Sequence, residues 1–186
     1  MDKLNNIWNK LSNIALAPSW GKVENEYISK LECLVCTLLP SDFKGFLLNF
    51  GGYDIVPPDS LDRSYMIKLP KPKGGRVSLP LSHSVSVSAM IDACDDWGDS
   101  LPDKSILLEY TGDGSPIFIS MFPGAAGEIY FMERDRYLDS YEFDDYECEE
   151  DACEAFDPKN GVVPSIFSKL ANSFSDFIMA VELDDK

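Results

Sequence analysis

The chain holds a single histidine, half as many basic as acidic residues, and no stretch near the ~20 consecutive apolar residues of a membrane-crossing helix. The shortage of cations excludes most: 16 Lys and Arg stand against 32 Asp and Glu, a net charge of −16. Such a field repels phosphate backbones, so direct binding to nucleic acid and attachment to anionic membranes are disfavoured. The first twenty residues break their apolar positions with Asn, Lys and Ser, unlike a signal peptide. Five cysteines, Cys33, Cys36, Cys94, Cys148 and Cys153, are odd in number, so reduced thiols and a cytoplasmic protein are expected. His83, in Leu81-Ser82-His83-Ser84, comes with no nucleophile elbow, and a solvent-facing or helix-capping role is expected of it. No catalytic residue and no cofactor is assigned.

What is present is the composition of a globular protein: 186 residues, 45% hydrophobic and 12% aromatic, consistent with one domain over residues 1–186. Ile7, Leu11, Ile14 and Ala15 fall at helical offsets ended by Pro18. Val23, Tyr27, Leu31, Leu34, Val35 and Leu38 predict a second helix that runs until Pro40. A third is predicted from Phe43, Phe46, Leu47 and Phe50, with Ser41-Asp42 as its cap and Gly51-Gly52 as its stop. Tyr65 to Leu69 and Val77 to Leu81, among prolines and glycines, read as short or edge strands.

Val87, Met90, Ile91, Cys94 and Trp97 return to helical spacing. Ile106 to Tyr110, Ile117 to Phe122 and Glu128 to Glu133 then predict three antiparallel strands. Gly112 and Gly114 lack a nucleotide fingerprint and a following helix, so they predict a hairpin turn rather than a phosphate cradle. Ser173-Phe174-Ser175-Asp176 has the form of a capping box opening a final amphipathic helix with Phe174, Phe177, Ile178 and Val181 on one face. The order implies an α+β fold, N-terminal helices and a C-terminal helix packed on a central, mostly antiparallel sheet.

Glu32, then Leu39-Pro40-Ser41-Asp42-Phe43-Lys44-Gly45-Phe46-Leu47, then Asn49-Phe50-Gly51-Gly52 resemble the motif of the SMI1/KNR4, or SUKH, superfamily. The last element carries one residue more than the commonest Asn-Gly-Gly form. Two further family landmarks follow in order: Gly127-Glu128-Ile129-Tyr130-Phe131, and Ala171-Asn172-Ser173-Phe174-Ser175-Asp176-Phe177-Ile178. The resemblance spans most of residues 22 to 182. Physically these are folding residues, with Phe43, Phe46, Tyr130, Phe131, Phe174 and Phe177 apolar enough to meet in one core.

Two groups invite a chemical reading. Cys33-Leu34-Val35-Cys36 has redox or zinc spacing, and Cys148 with Cys153 would supply two more thiolates. Without knuckle glycines, buried or half-buried free thiols and no metal are expected. The run from Asp139 to Asp157 contains ten acids and no base, interleaved with Tyr141, Phe143, Tyr146 and Phe156, with Tyr137 just before. It lacks the register and glycine of a calcium loop. A solvated loop and a binding surface both remain open, the second because aromatic anchors and steering acids coexist. A second cluster, Asp92, Asp95, Asp96, Asp99 and Asp103, surrounds Trp97.

The resemblance implies an immunity protein that binds and neutralises a cognate bacterial toxin, a basic nuclease being the partner its charge suits. Occlusion would fall to Glu142, Asp144, Asp145, Glu147, Glu149, Glu150 and Asp151, with Tyr141, Phe143 and Tyr146 as anchors. A monomer or weak dimer is expected. The alternative is a non-catalytic regulatory scaffold, as some eukaryotic relatives are.

Overall fold

The computed structural model describes residues 5–6, 9, 15–16, 23–51, 54–55, 63–70, 76–84, 86–96, 101–111, 114–133 and 149–185. In chain order these form β1 (Ala15–Leu16), α1 (Asn25–Leu34), α2 (Ser41–Phe50), β2 (Asp54–Ile55), β3 (Arg63–Pro70) and β4 (Arg76–Ser84). There follow α3 (Val87–Asp96), β5 (Ser105–Thr111), β6 (Pro116–Ser120), β7 (Ile129–Met132), α4 (Glu149–Ala155), β8 (Phe167–Ala171), α5 (Phe174–Ala180) and β9 (Val181–Asp185). The fold is α+β. Its main sheet runs in the order β8-β7-β6-β5-β4-β3-β9, and each described pairing within it is antiparallel.

All residues of β6 and β7 are buried, so both faces of this part of the sheet are covered. Among the described residues a connected core includes Phe43, Phe46, Tyr130, Phe131, Phe174 and Phe177, as their apolarity predicts. Phe174 lies between the rings of Phe43 and Phe46 at 5.1 and 5.0 Å. This locks α5 onto α2.

The motif residues have local causes. Gly51, at φ 75°, stops α2 by donating its N–H to the Leu47 carbonyl at 2.8 Å. Gly127, at φ 95°, meets Pro40, and a Cβ there would stand 3.3 Å from the proline ring. The Leu-Pro joint and the Gly-Glu-Ile-Tyr-Phe strand are thus in contact, which ties two distant stretches of the pattern to one packing event. Ser173 Oγ accepts from Asp176 N–H at 3.1 Å, the predicted cap of α5.

Several expectations are corrected. The helix predicted to reach Pro40 ends at Leu34, and Leu38 is 74% exposed in the following segment rather than on a buried stripe. The cap position of α2 is taken by Pro40, which makes no side-chain hydrogen bond, so neither Ser41 nor Asp42 stands there. One Asp42 oxygen accepts from Phe43 N–H, and the other accepts from Ser175 N–H at 3.0 Å and Ser175 Oγ–H at 2.7 Å. It is a clamp between α2 and α5.

Strands β3 and β4 are eight and nine residues long and lie inside the sheet, not short or at its edge. The reason is β9. The chain does not end as a helix: after Ala180 it turns into a strand that pairs with β3 and takes the edge. Pro80 is tolerated within β4 beside a register shift between Leu81 and His83. His83 itself lies in β4 opposite Tyr110. Ala15 belongs to β1, paired with Ile55, while Ile7, Leu11, Ile14 and Pro18 lie outside the described residues.

Candidate interaction surface

The acidic run enters the described structure at Glu149, so that its C-terminal half is described. Tyr141, Glu142, Phe143, Asp144, Asp145, Tyr146 and Glu147 lie outside the described residues, as do Tyr137 and Cys148. Glu149, Glu150 and Asp151 open α4. Ala152, Cys153 and Phe156, at i, i+1 and i+4, are buried, whereas Asp151 and Glu154, three apart, are exposed. Asp151 and Glu154 therefore face water because small and aromatic residues on the other side of α4 are buried.

Phe156 corrects its grouping with the interleaved contact aromatics. It is 1% exposed, and its ring meets Phe167 at 4.8 Å, Tyr130 at 5.0 Å, Phe122 at 5.6 Å and Phe118 at 5.8 Å. An aromatic so enclosed holds the acidic segment to the fold and is not available to a partner. Beneath it Tyr130 donates its hydroxyl to Glu128 Oε2 at 2.7 Å, and Lys169 pairs with the other Glu128 oxygen. Burial first, and the Glu128 carboxylate second, push the Tyr130 hydroxyl far up, so it stays a proton donor.

Past α4, Asp157 closes the run against a 3₁₀ turn, accepting from Asn160 Nδ2 at 2.6 Å, and its backbone pairs with Val162 in both directions. This brings two side chains that the sequence reading passed over to the end of the acidic segment: Val162 and Val163, 41% and 39% exposed. Their only signal in the sequence is an apolar pair between Gly161 and Pro164. Asp157 thus joins the end of the acidic run, where Asp151 and Glu154 are exposed, to a small exposed apolar pair.

The second acidic cluster is split. Asp92 on α3 and Asp103 before β5 are exposed, Asp95 and Asp96 end α3, and Trp97 and Asp99 lie outside the described residues. Between α3 and the turn after α1 runs a shallow groove lined by Leu34, Val35, Cys94, Pro102, Asp103 and Lys104. Cys94 Sγ points to the Ser105 carbonyl at 3.7 Å. Among the described residues, no three His, Cys, Asp or Glu side chains gather as metal ligands. Cys153 is buried on the inner side of α4, as a packed free thiol was expected to be, while Cys33 and Cys36, expected to be buried or half-buried, are exposed.

Glu32 is an acid whose chemistry the fold retunes. Its Oε1 accepts from Lys44 Nζ at 2.8 Å and from Leu39 N–H at 3.1 Å. Burial alone would raise this carboxyl, but the two hydrogen bonds and the Lys44 charge outweigh it and hold the group below the usual carboxylate range. The role is architectural, since Glu32 sets the path from α1 to the Pro40 joint.

An α+β domain whose motif residues meet in the core identifies a scaffold, and the motif residues do not themselves mark a site. Residues 22–180 match the model of the SMI1 / KNR4 family (SUKH-1), and the chain belongs to that family. No curated protein matches it in sequence. The family is known for immunity proteins. Among the described residues no helix is long and apolar enough to cross a membrane.

Proposed function

We propose that this chain is an immunity protein that binds a cognate bacterial toxin in the cytoplasm and blocks it by occlusion, without catalysing a reaction. Membership of a family known for immunity proteins is the observation that carries the reading. The charge refines the partner: a protein at −16 is suited to a basic toxin, and a nuclease must present Lys and Arg to its phosphodiester substrate. The acidic segment mimics that substrate's charge. Glu142, Asp144, Asp145, Glu147, Glu149, Glu150 and Asp151 steer and pair, and Tyr141, Phe143 and Tyr146 supply desolvated contact. The anchoring of α4 by Phe156 supports this assignment, because acids carried on a helix already fixed to the fold have less order to gain on binding.

The experiment is capture from the native cell on the tagged full-length chain, washed at low and then high salt, followed by an activity assay of what is retained. A single basic partner in stoichiometric amount, with a nuclease activity that the added chain suppresses, supports the reading. Several unrelated host proteins with no inhibited activity would overturn it in favour of a regulatory scaffold.

A further inference from the structure

Among the described residues, the two cysteines at the end of α1 stand apart from the others. Cys153 is buried and Cys94 half-buried, whereas Cys33 and Cys36 are both exposed. The helix ends at Leu34, and the chain then makes a reverse turn in which Cys36 donates its N–H to the Cys33 carbonyl at 3.2 Å. A hydrogen-bonded turn of this kind keeps its end Cα atoms within about 7 Å, and a disulfide requires about 4.4–6.8 Å. Cys36 is left-handed, at φ 53°, and its Sγ lies 3.5 Å from the Cys33 carbonyl oxygen. The thiol is therefore folded back over its partner residue instead of pointing along the chain.

The turn is also held from both sides. Val35 N–H donates to the Leu31 carbonyl and Thr37 N–H to the Glu32 carbonyl, each at 3.1 Å, and Glu32 Oε1 takes Leu39 N–H. Two exposed thiols on a preformed turn have little conformational freedom to lose when they join.

We propose that Cys33 and Cys36 form a reversible dithiol–disulfide site whose oxidant is a small-molecule disulfide of the glutathione class. One protein thiol, as thiolate, attacks a sulfur of the oxidant; the oxidant's S–S bond breaks and the first glutathione leaves as a thiol after taking a proton. The second protein thiol loses its proton and attacks the protein sulfur of the mixed disulfide, releasing the second glutathione thiol. Two electrons and two protons pass from the dithiol to the oxidant, and the product is a Cys33–Cys36 disulfide. The site is independent of toxin binding, so its failure would leave that reading untouched.

The test exposes the folded full-length chain to oxidised glutathione, traps remaining thiols by alkylation, and maps the peptide covering residues 31–44, whose two cysteines are Cys33 and Cys36. The expected result is joint loss of both alkylation sites, a peptide lighter by two hydrogens, and full recovery on adding reduced dithiothreitol. The variants C33S and C36S should each stop at a glutathione adduct on the remaining cysteine. Continued alkylation of both cysteines, under conditions that oxidise free dithiothreitol, would overturn the proposal. So would a wild-type chain that accumulates the glutathione adduct without closing the ring.

Discussion

Asp42 shows how one side chain carries a tertiary joint. It looks like a helix cap in sequence, yet it serves a helix more than a hundred residues away, taking both the N–H and the hydroxyl of Ser175. No local spacing rule contains that information, because the partner arrives only when α5 packs on α2. Asp42→Ala leaves three donors, the Phe43 N–H and the N–H and hydroxyl of Ser175, without this acceptor in a part-buried place, which costs about 1–3 kcal/mol. Urea unfolding should show a lower midpoint with an unchanged slope, and Asp42→Ala combined with Ser175→Ala should cost less than the sum of the two. Glu32 gives a pH signature. Its folded-state carboxyl is lowered, so its contribution is present above the ordinary value of 4.5 and is lost as the pH falls through the lower folded value. Glu32→Gln should therefore destabilise the chain near neutral pH and flatten the loss of stability seen in wild type on acidification, read from urea midpoints across the acid range.

The elements were legible where periodicity is strong and misplaced where a neighbour decides. The β5–β6–β7 meander stands where alternating apolar runs and turn glycines put it, and Ser173 caps α5 as its capping box predicts. Helix α1 was overrun because Leu38 continues an apolar spacing that the fold does not bury. β9 was missed because Val181 continues the helical face of α5, and only the open edge of β3 makes the extended conformation the better one. α4 went unplaced because its acids hide a short buried face. Phe156→Ala, which removes the ring from among four others, should cost about 3–5 kcal/mol and release α4. Hydrogen exchange should then show loss of protection over residues 149–155 beyond the global change. By contrast Leu38→Ser, at an exposed position, should change stability by no more than about 0.5 kcal/mol in the same denaturation experiment.

For the molecule as a whole, the sequence pattern and the structure agree on what kind of object this is and differ in how much they say about where it acts. The family motif was readable because Pro40, Gly51, Gly127 and the phenylalanines are demanded by packing, and packing leaves residue-specific traces. The proposed contact surface leaves only composition: acids and aromatics in the run 139–157, and a Val162–Val163 pair that becomes visible once Asp157 is seen bridging to it. With −16 charges on the chain, association with a basic partner should slow steeply as salt is added while dissociation changes little, a pattern that stopped-flow measurement resolves. The most direct test of the account is a protection assay in cells expressing the captured toxin, comparing wild type with a chain in which Asp145, Glu147, Glu150 and Asp151 are all changed to Lys. The account predicts that the variant folds, with an unchanged circular dichroism spectrum, and fails to protect; full protection by that variant would contradict the assignment of the acidic segment as the blocking surface.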